Sequence, residues 1–243
     1  MIIINADDLG RSRNETDAAL ACHRQGRIAS ATAMVFMEDS ERAADLAMAQ
    51  GLDVGLHLNL DQDYNGRRPA VAAVCAHRRV VRFLSSNKFA RLLYNPLLRQ
   101  HFREVVQSQI DEFVRLYAKA PSHIDGHHHQ HLCTNMVIDE LLPERTRIRR
   151  NFSYEPGEKS FLNRYYRGWV DRRLARRHRL TDYFFSLADC LRNHQLPRVF
   201  GLAKTANVEL MTHPREAAEC EWLMSNDFLS FTQGLEMRSY ASV

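Results

Sequence analysis

Two hydrophobic periods alternate along this chain from its first residue. Met1 to Ala6 is an apolar run ending in Asp-Asp-Leu-Gly, which predicts a buried strand, and residues 14–25 then carry helical spacing with Asn14 as candidate N-cap. Ser30 to Phe36 predicts a second strand, Ser40 to Ala49 a short helix closed by Gly51, and Asp53 to Leu60 alternates as a third strand. This repetition predicts an α/β protein, with a parallel sheet or (β/α) barrel wrapped by helices. Residues 61–100, with Gly66, Pro69 and Pro96, break the rhythm and are expected to form a long irregular insertion of the kind that shapes substrate sites. The rhythm resumes with an amphipathic helix over Phe102 to Tyr117, a histidine-rich strand after Pro121 and a short helix over Asn135 to Leu142. A strand over Arg147 to Ser153, a helix over Phe161 to His178 and strands over Tyr183 to Leu187 and Val208 to Met211 follow. Helical segments and an alternating stretch, Leu235 to Tyr240, come last. No repeat or linker divides residues 1–243, so one domain is expected.

Composition adds limits. With 45% hydrophobic and 26% charged residues, the chain has the make-up of an ordinary globular protein. No stretch approaches the roughly 18 consecutive apolar residues of a membrane span, and the Met1 to Ile4 run is too short for an export signal. Cys22, Cys75, Cys133, Cys190 and Cys220 are odd in number and form no CxxC pair, so reduced thiols in the cytoplasm are the expectation. The net charge of +4 is unevenly placed: Arg145, Arg147, Arg149 and Arg150 precede seven more arginines between Arg164 and Arg179. Such a surface could attract an anionic substrate, nucleic acid or a membrane. The simpler reading is a solvated helix face, since Phe161, Tyr165, Trp169, Val170 and Leu174 supply an apolar stripe at helical spacing. No zinc-finger or RRM-type signature accompanies the charge, which argues against nucleic acid, while an apolar and basic helix could also serve a homodimer interface.

Candidate chemistry gathers where predicted strands end: Asp7 and Asp8 after the first, His57 in "VGLHLNL", the group "HIDGHHHQH", and His213. In (β/α) barrels the active site lies on that face, where strand-to-helix loops converge. Each signal alone is weak, because a lone histidine in an apolar strand is commonly a hydrogen-bonded core residue and two aspartates can cap a helix. In an extended segment, His123, Asp125, His127, His129 and His131 would share one face, with Gly126 the point where regularity could break. One carboxylate with two imidazoles is a common design for a catalytic divalent ion, and a second carboxylate beside the first could stay free as a base.

The residues "NADDLG" at 5–10, "GLHLNL" at 55–60, "PSHIDGHHHQH" at 121–131 and "LMTHP" at 210–214 resemble, in order and approximate spacing, the YdjC-like carbohydrate deacetylases. That family includes chitooligosaccharide deacetylases and a hopanoid-biosynthesis-associated branch. The resemblance runs from Asn5 to about Tyr240 and departs from the family pattern at Leu9, where Phe is usual, and at Arg215, where Gly is frequent. It implies a distorted (β/α) barrel of the TIM-barrel-like deacetylase type. It further implies that Asp8, His57 and His127 hold a metal, that Asp7 is the catalytic base, and that His213 could protonate the leaving amine. His123, Asp125 and His129 would orient ligands or substrate, Asp125 by accepting the spare N–H of a metal-bound imidazole. The reaction implied is metal-assisted hydrolysis of an acetamide on an N-acetylated sugar, giving acetate and a free amine. Family descriptions assign Mg²⁺, whereas two imidazole ligands favour Zn²⁺ or another transition metal. Hydrolysis of a phosphoester or cyclic amide, and a catalytically inactive basic binding protein, are the alternatives that the arginine-rich stretch motivates.

Overall fold

The computed structural model describes residues 1–155 and 157–242. Strand β1 (Ile2–Leu9) is buried along its whole length, because it is flanked by strands on both sides and covered on both faces. Helix α1 (Arg13–Arg24) leads to β2 (Ser30–Ala33), α2 (Ser40–Ala49) to β3 (Asp53–Leu58), and α3 (Val71–Leu84) with α4 (Arg99–Tyr117) to β4 (Ile124–Gly126). Helices α5 (Thr134–Ile138) and α6 (Phe161–Leu174) precede β5 (Tyr183–Ser186). Helices α7 (Leu187–Arg192) and α8 (Leu196–Leu202) precede β6 (Val208–Thr212), and α9 (Ala217–Met224) and α10 (Asn226–Thr232) follow it. The six strands pair in parallel in the order β4-β3-β2-β1-β6-β5, as helical crossovers require.

The sheet curls until its edges are joined by residues 147–153. Arg149 N–H donates to Ile124 O (3.1 Å) on the β4 side, and Ser153 N–H donates to Phe184 O (3.0 Å) on the β5 side. The strand expected over Arg147 to Ser153 is therefore an irregular seventh stave, because its hydrogen bonds are divided between two neighbours and do not follow one ladder. A distorted (β/α) barrel results. Its inner end is stopped by the segment after α10. Ile2 N–H donates to Glu236 O (3.0 Å), Tyr240 N–H to Ser30 Oγ (3.0 Å) and Ala241 N–H to Asp53 Oδ2 (2.9 Å), all at the starts of strands.

Two expectations need correction. The insertion at 61–100 is not irregular throughout: Ala73, Ala76, His77, Val80 and Leu84 bury one stripe of the helix α3 against α4. Small alanines and a histidine make that stripe faint in sequence, and His77 lies on it because it stacks on Tyr64 at 3.9 Å. The histidine strand also stops early. After Gly126 the chain enters a 3-10 turn over His127–Leu132, with His128 (φ 48°) and His129 (φ 58°) left-handed, so the alternation ends at His127. The expected helices over Asn135 to Leu142 and Phe161 to His178 are shorter, as α5 and α6. Arg173 and Arg177 of the latter region pair with Glu140, as befits a solvated face.

No helix among the described residues is long and apolar enough to cross a membrane, and all five cysteines are free thiols. Gly55 of β3 is required by its neighbour: a Cβ there would lie 2.5 Å from the His123 ring and 2.6 Å from the His123 carbonyl oxygen. Gly55→Ala is expected to destabilise the fold by about 1–3 kcal/mol through overpacking, read as a lower urea midpoint. An unchanged midpoint would show that the buried ring can move aside.

Candidate active site

Neighbouring residues of a regular strand point to opposite faces, yet Asp7 and Asp8 both line one small cleft. The backbone makes this possible: Asp8 is left-handed (φ 67°), and the β1–β2 register shifts between Ala6 and Leu9. Such irregularities at strand ends re-aim side chains. Asp8 Oδ1 lies 3.0 Å from His127 Nδ1 and 3.3 Å from His57 Nε2. The other nitrogen of His57, Nδ1, lies 2.7 Å from Asp125 Oδ1, which fixes the ring with Nε2 toward Asp8. Burial pushes the Asp8 carboxyl upward, but the hydrogen bonds and charge of His127 and His57 outweigh it and hold the group well below the usual carboxylate range. Burial lowers His57, but Asp125 and Asp7 more than compensate and raise it well above the ordinary imidazole value.

Among the described residues three groupings offer convergent ligand atoms: Asp8/His57/His127, Asp61/His127/His128 and Asp7/His57/Asp125. The third already contains a cation, because Arg149 Nη1 lies 2.6 Å from Asp7 Oδ2 and 2.7 Å from Asp125 Oδ2. The second includes His128, which is exposed, and its partner Asp61 sits at the start of the insertion. The first is buried throughout, and its two imidazole nitrogens converge on a single carboxylate oxygen. A divalent ion exchanged for the protons between these atoms would meet one oxygen and two nitrogens, a donor set suited to such an ion.

Arg149 is 0% exposed and was not singled out by sequence as a site residue. Assigned by sequence to a basic surface, it instead lies inside the barrel. Its Nη2 donates to Asp7 Oδ1 (2.7 Å) and its Nε to Glu209 Oε1 (2.7 Å), so one guanidinium serves three carboxylates. Asp7 is clamped further by Asn5 Nδ2 at 2.9 Å. Burial opposes the charge on Arg149, but Asp125, Asp7 and Glu209 raise its pKa well above the usual value. Burial pushes Glu209 up to about 7 against the pull of Arg149 and of the Tyr240 hydroxyl, which donates to Glu209 Oε2. A charged residue between the buried Ile148 and the next apolar positions of a predicted strand was the signal that could have identified Arg149; nothing comparable marks Tyr240.

The other predicted residues divide. Asp125 joins the cluster, held between His57 Nδ1 and Arg149 Nη1. His213 lines the same cleft, with Nδ1 3.5 Å from Glu219 Oε1; burial lowers its pKa, but Glu219 raises it overall. His123 is not brought to the cleft: it is 0% exposed and stacks on Tyr240 at 3.7 Å, beneath Asp125. His129 is turned away by its left-handed backbone and sets its ring edge against Phe152 at 4.6 Å.

The YdjC-like protein family model matches residues 1–234. The chain belongs to that family. Over 133 residues it is 35% identical to a chitooligosaccharide deacetylase of Proteus mirabilis, covering 54% of this chain and 50% of that one. A carbohydrate deacetylase of Mus musculus is 27% identical over 245 residues, covering 88% of this chain and 77% of that one. The chain thus spans about half the length of the bacterial relative it matches. A solved structure from Enterococcus faecalis V583, provisionally described as a cellobiose-phosphate cleavage protein, is similar with a TM-score of 0.68 at 17% identity, covering 99% of this chain and 97% of that one. At that identity the likeness concerns the fold.

Removal of Arg149 would leave three buried carboxylates without their cation. Arg149→Met is expected to cost about 3–5 kcal/mol in urea unfolding; a loss within experimental error would show that the carboxylates take up protons instead. Folded Glu209 keeps its proton to about pH 7, whereas its ordinary value is 4.5. Its contribution to stability is therefore fully present below pH 4.5 and is lost as pH rises through about 7. Glu209→Gln is expected to flatten that decline. Parallel profiles for the two proteins, from urea midpoints across the range, would show that Glu209 is ionised beside Arg149.

Proposed function

We propose that this YdjC-like protein is a metal-dependent hydrolase that removes the acetyl group from an N-acetylated sugar or oligosaccharide. The observation that carries the reading is the convergence of Asp8, His57 and His127 beside a cleft that Asp8 lines together with Asp7 and His213, within a family whose named relatives are carbohydrate and chitooligosaccharide deacetylases. Asp8, His57 and His127 would hold one divalent cation; their two nitrogens favour Zn²⁺ or another transition metal over Mg²⁺. A cation held there supplies positive charge that polarises an acetamide carbonyl and acidifies water.

Asp7 is the base in this reading. Its Oδ1 accepts from Arg149, Asn5 and Thr32, whereas among the described residues Oδ2 accepts from Arg149 Nη1 alone and keeps a lone pair for a proton taken from water. Arg149 fixes the carboxylate plane, which limits the geometries Asp7 can sample. Asp125 holds the His57 ring in one orientation. His213, with its pKa raised, carries a proton that the departing sugar nitrogen requires. Water and acetamide are consumed, and acetate and a free amine are released.

Acetate release from N-acetylglucosamine oligomers by metal-stripped protein, with Zn²⁺, Mg²⁺, Mn²⁺ or Co²⁺ restored separately, tests this reading. Asp7→Asn is expected to retain metal and lose on the order of 10²–10⁴ in rate, and His127→Ala to lose both metal and activity. Full turnover by Asp7→Asn would remove Asp7 as base, and undiminished release by stripped protein would remove the metal.

A further inference from the structure

A second cleft, of about 410 Å³, lies outside the barrel between α6, residues 150–155, and the beginnings of β5 and the α8 wall. It shares no lining residue with the cleft that carries Asp7 and Asp8. Four arginines line it, and they differ in their partners. Arg198 pairs with Glu155 (3.0 Å) and Arg150 with Asp171 (3.0 Å). Among the described residues the hydrogen bonds of Arg167 go to neutral amides: its Nε donates to Asn163 Oδ1 (2.8 Å) and its Nη1 to Asn151 Oδ1 (3.3 Å). Arg164 makes no ion pair among the described residues, and its Nε is buried without a partner, as is that of Arg150.

The carboxylates of the same wall are engaged elsewhere. Asp171 accepts from the Asn151 backbone and side-chain N–H groups as well as from Arg150. Asp182 accepts from the Asn207 N–H (2.9 Å). Two guanidiniums, those of Arg164 and Arg167, therefore face the cavity without an ion pair among the described residues, Asp171 acting on Arg167 only at longer range. Burial accordingly lowers the pKa of Arg167, and the nearby Arg91 adds to the effect. A half-buried cation in this condition is stabilised by any oxyanion that enters. The wall beside it is aromatic: Tyr154 lies under Arg167, 5.3 Å from its guanidinium carbon, and Tyr183 lines the same space.

We propose that this cleft binds a phosphate monoester, with Arg164 and Arg167 gripping the phosphoryl oxygens and Tyr154 flanking the organic part. Two planar guanidinium forks match a tetrahedral, doubly charged oxyanion better than a single carboxylate. The stave links this cleft to the hydrolytic one, because Arg149 clamps Asp7 inside the barrel while the adjacent Arg150 lines the outer cavity. Binding there does not depend on the hydrolytic reading.

Calorimetric titration of the full chain with inorganic phosphate and with glucose 6-phosphate, against acetate at matched ionic strength, tests the proposal. Both phosphate ligands are expected to bind and acetate not to. Arg164→Gln and Arg167→Gln should each weaken binding by about tenfold, with acetate release from neutral oligosaccharides unchanged. Tighter binding of glucose 6-phosphate would identify an organic monoester as the ligand, and equal binding the phosphoryl group alone. No phosphate binding, or binding that survives both substitutions and is lost in His127→Ala, would overturn the proposal, the latter by placing phosphate at the metal centre. Unchanged circular dichroism of the arginine variants separates lost binding from lost folding.

Discussion

A single guanidinium, that of Arg149, keeps the interior of this barrel electrically tolerable. Asp7, Asp125 and Glu209 project into a space from which water is largely excluded, and each would be costly there without a cation. The arrangement is asymmetric in its effect. Glu209 faces the closed end and the Tyr240 hydroxyl, whereas Asp7 lines the cleft and Asp125 backs His57. One buried charge therefore joins the stopper of the barrel to its chemistry, and the irregular seventh stave exists where it can deliver that charge.

The three candidate ligands depend on this arrangement at one remove. Asp125 is held by Arg149 and in turn holds His57, so the ring presents Nε2 to Asp8 with little rotational freedom. His131 supports the same stave from behind, with its Nε2 3.0 Å from the Arg149 carbonyl oxygen. Burial lowers that imidazole to about 4, which keeps it neutral and compatible with the guanidinium nearby. Histidines in one short motif thus have unlike duties: His127 and His131 face different neighbours because the chain turns left-handed between them.

Much of this was legible in the sequence because periodicity and strand-end position are local properties. The β-α rhythm placed Asp8, His57 and His127 at one end of a barrel, and the structure brings those residues together. Where sequence failed, the cause was an interaction across the fold. Alternation groups His123 and His129 with the cleft, but His123 lies just before β4, deep in the barrel against Tyr240, and the turn after Gly126 takes His129 off that face. Arg149 was read as surface because arginine normally is, and only the three carboxylates contributed by β1, β4 and β6 explain its burial. The helix α3 escaped notice because its buried stripe is mostly alanine and acquires meaning only against α4.

The left-handed backbone at Asp8 bears on how such a centre can decay through evolution. Most L-residues pay roughly 1–2 kcal/mol to adopt that conformation, whereas asparagine and aspartate tolerate it and glycine is indifferent to it. The main chain therefore filters what can succeed the carboxylate. Lineages that abandon the chemistry but keep the barrel should do so by way of asparagine or glycine at this position, leaving a recognisable scar in otherwise intact descendants.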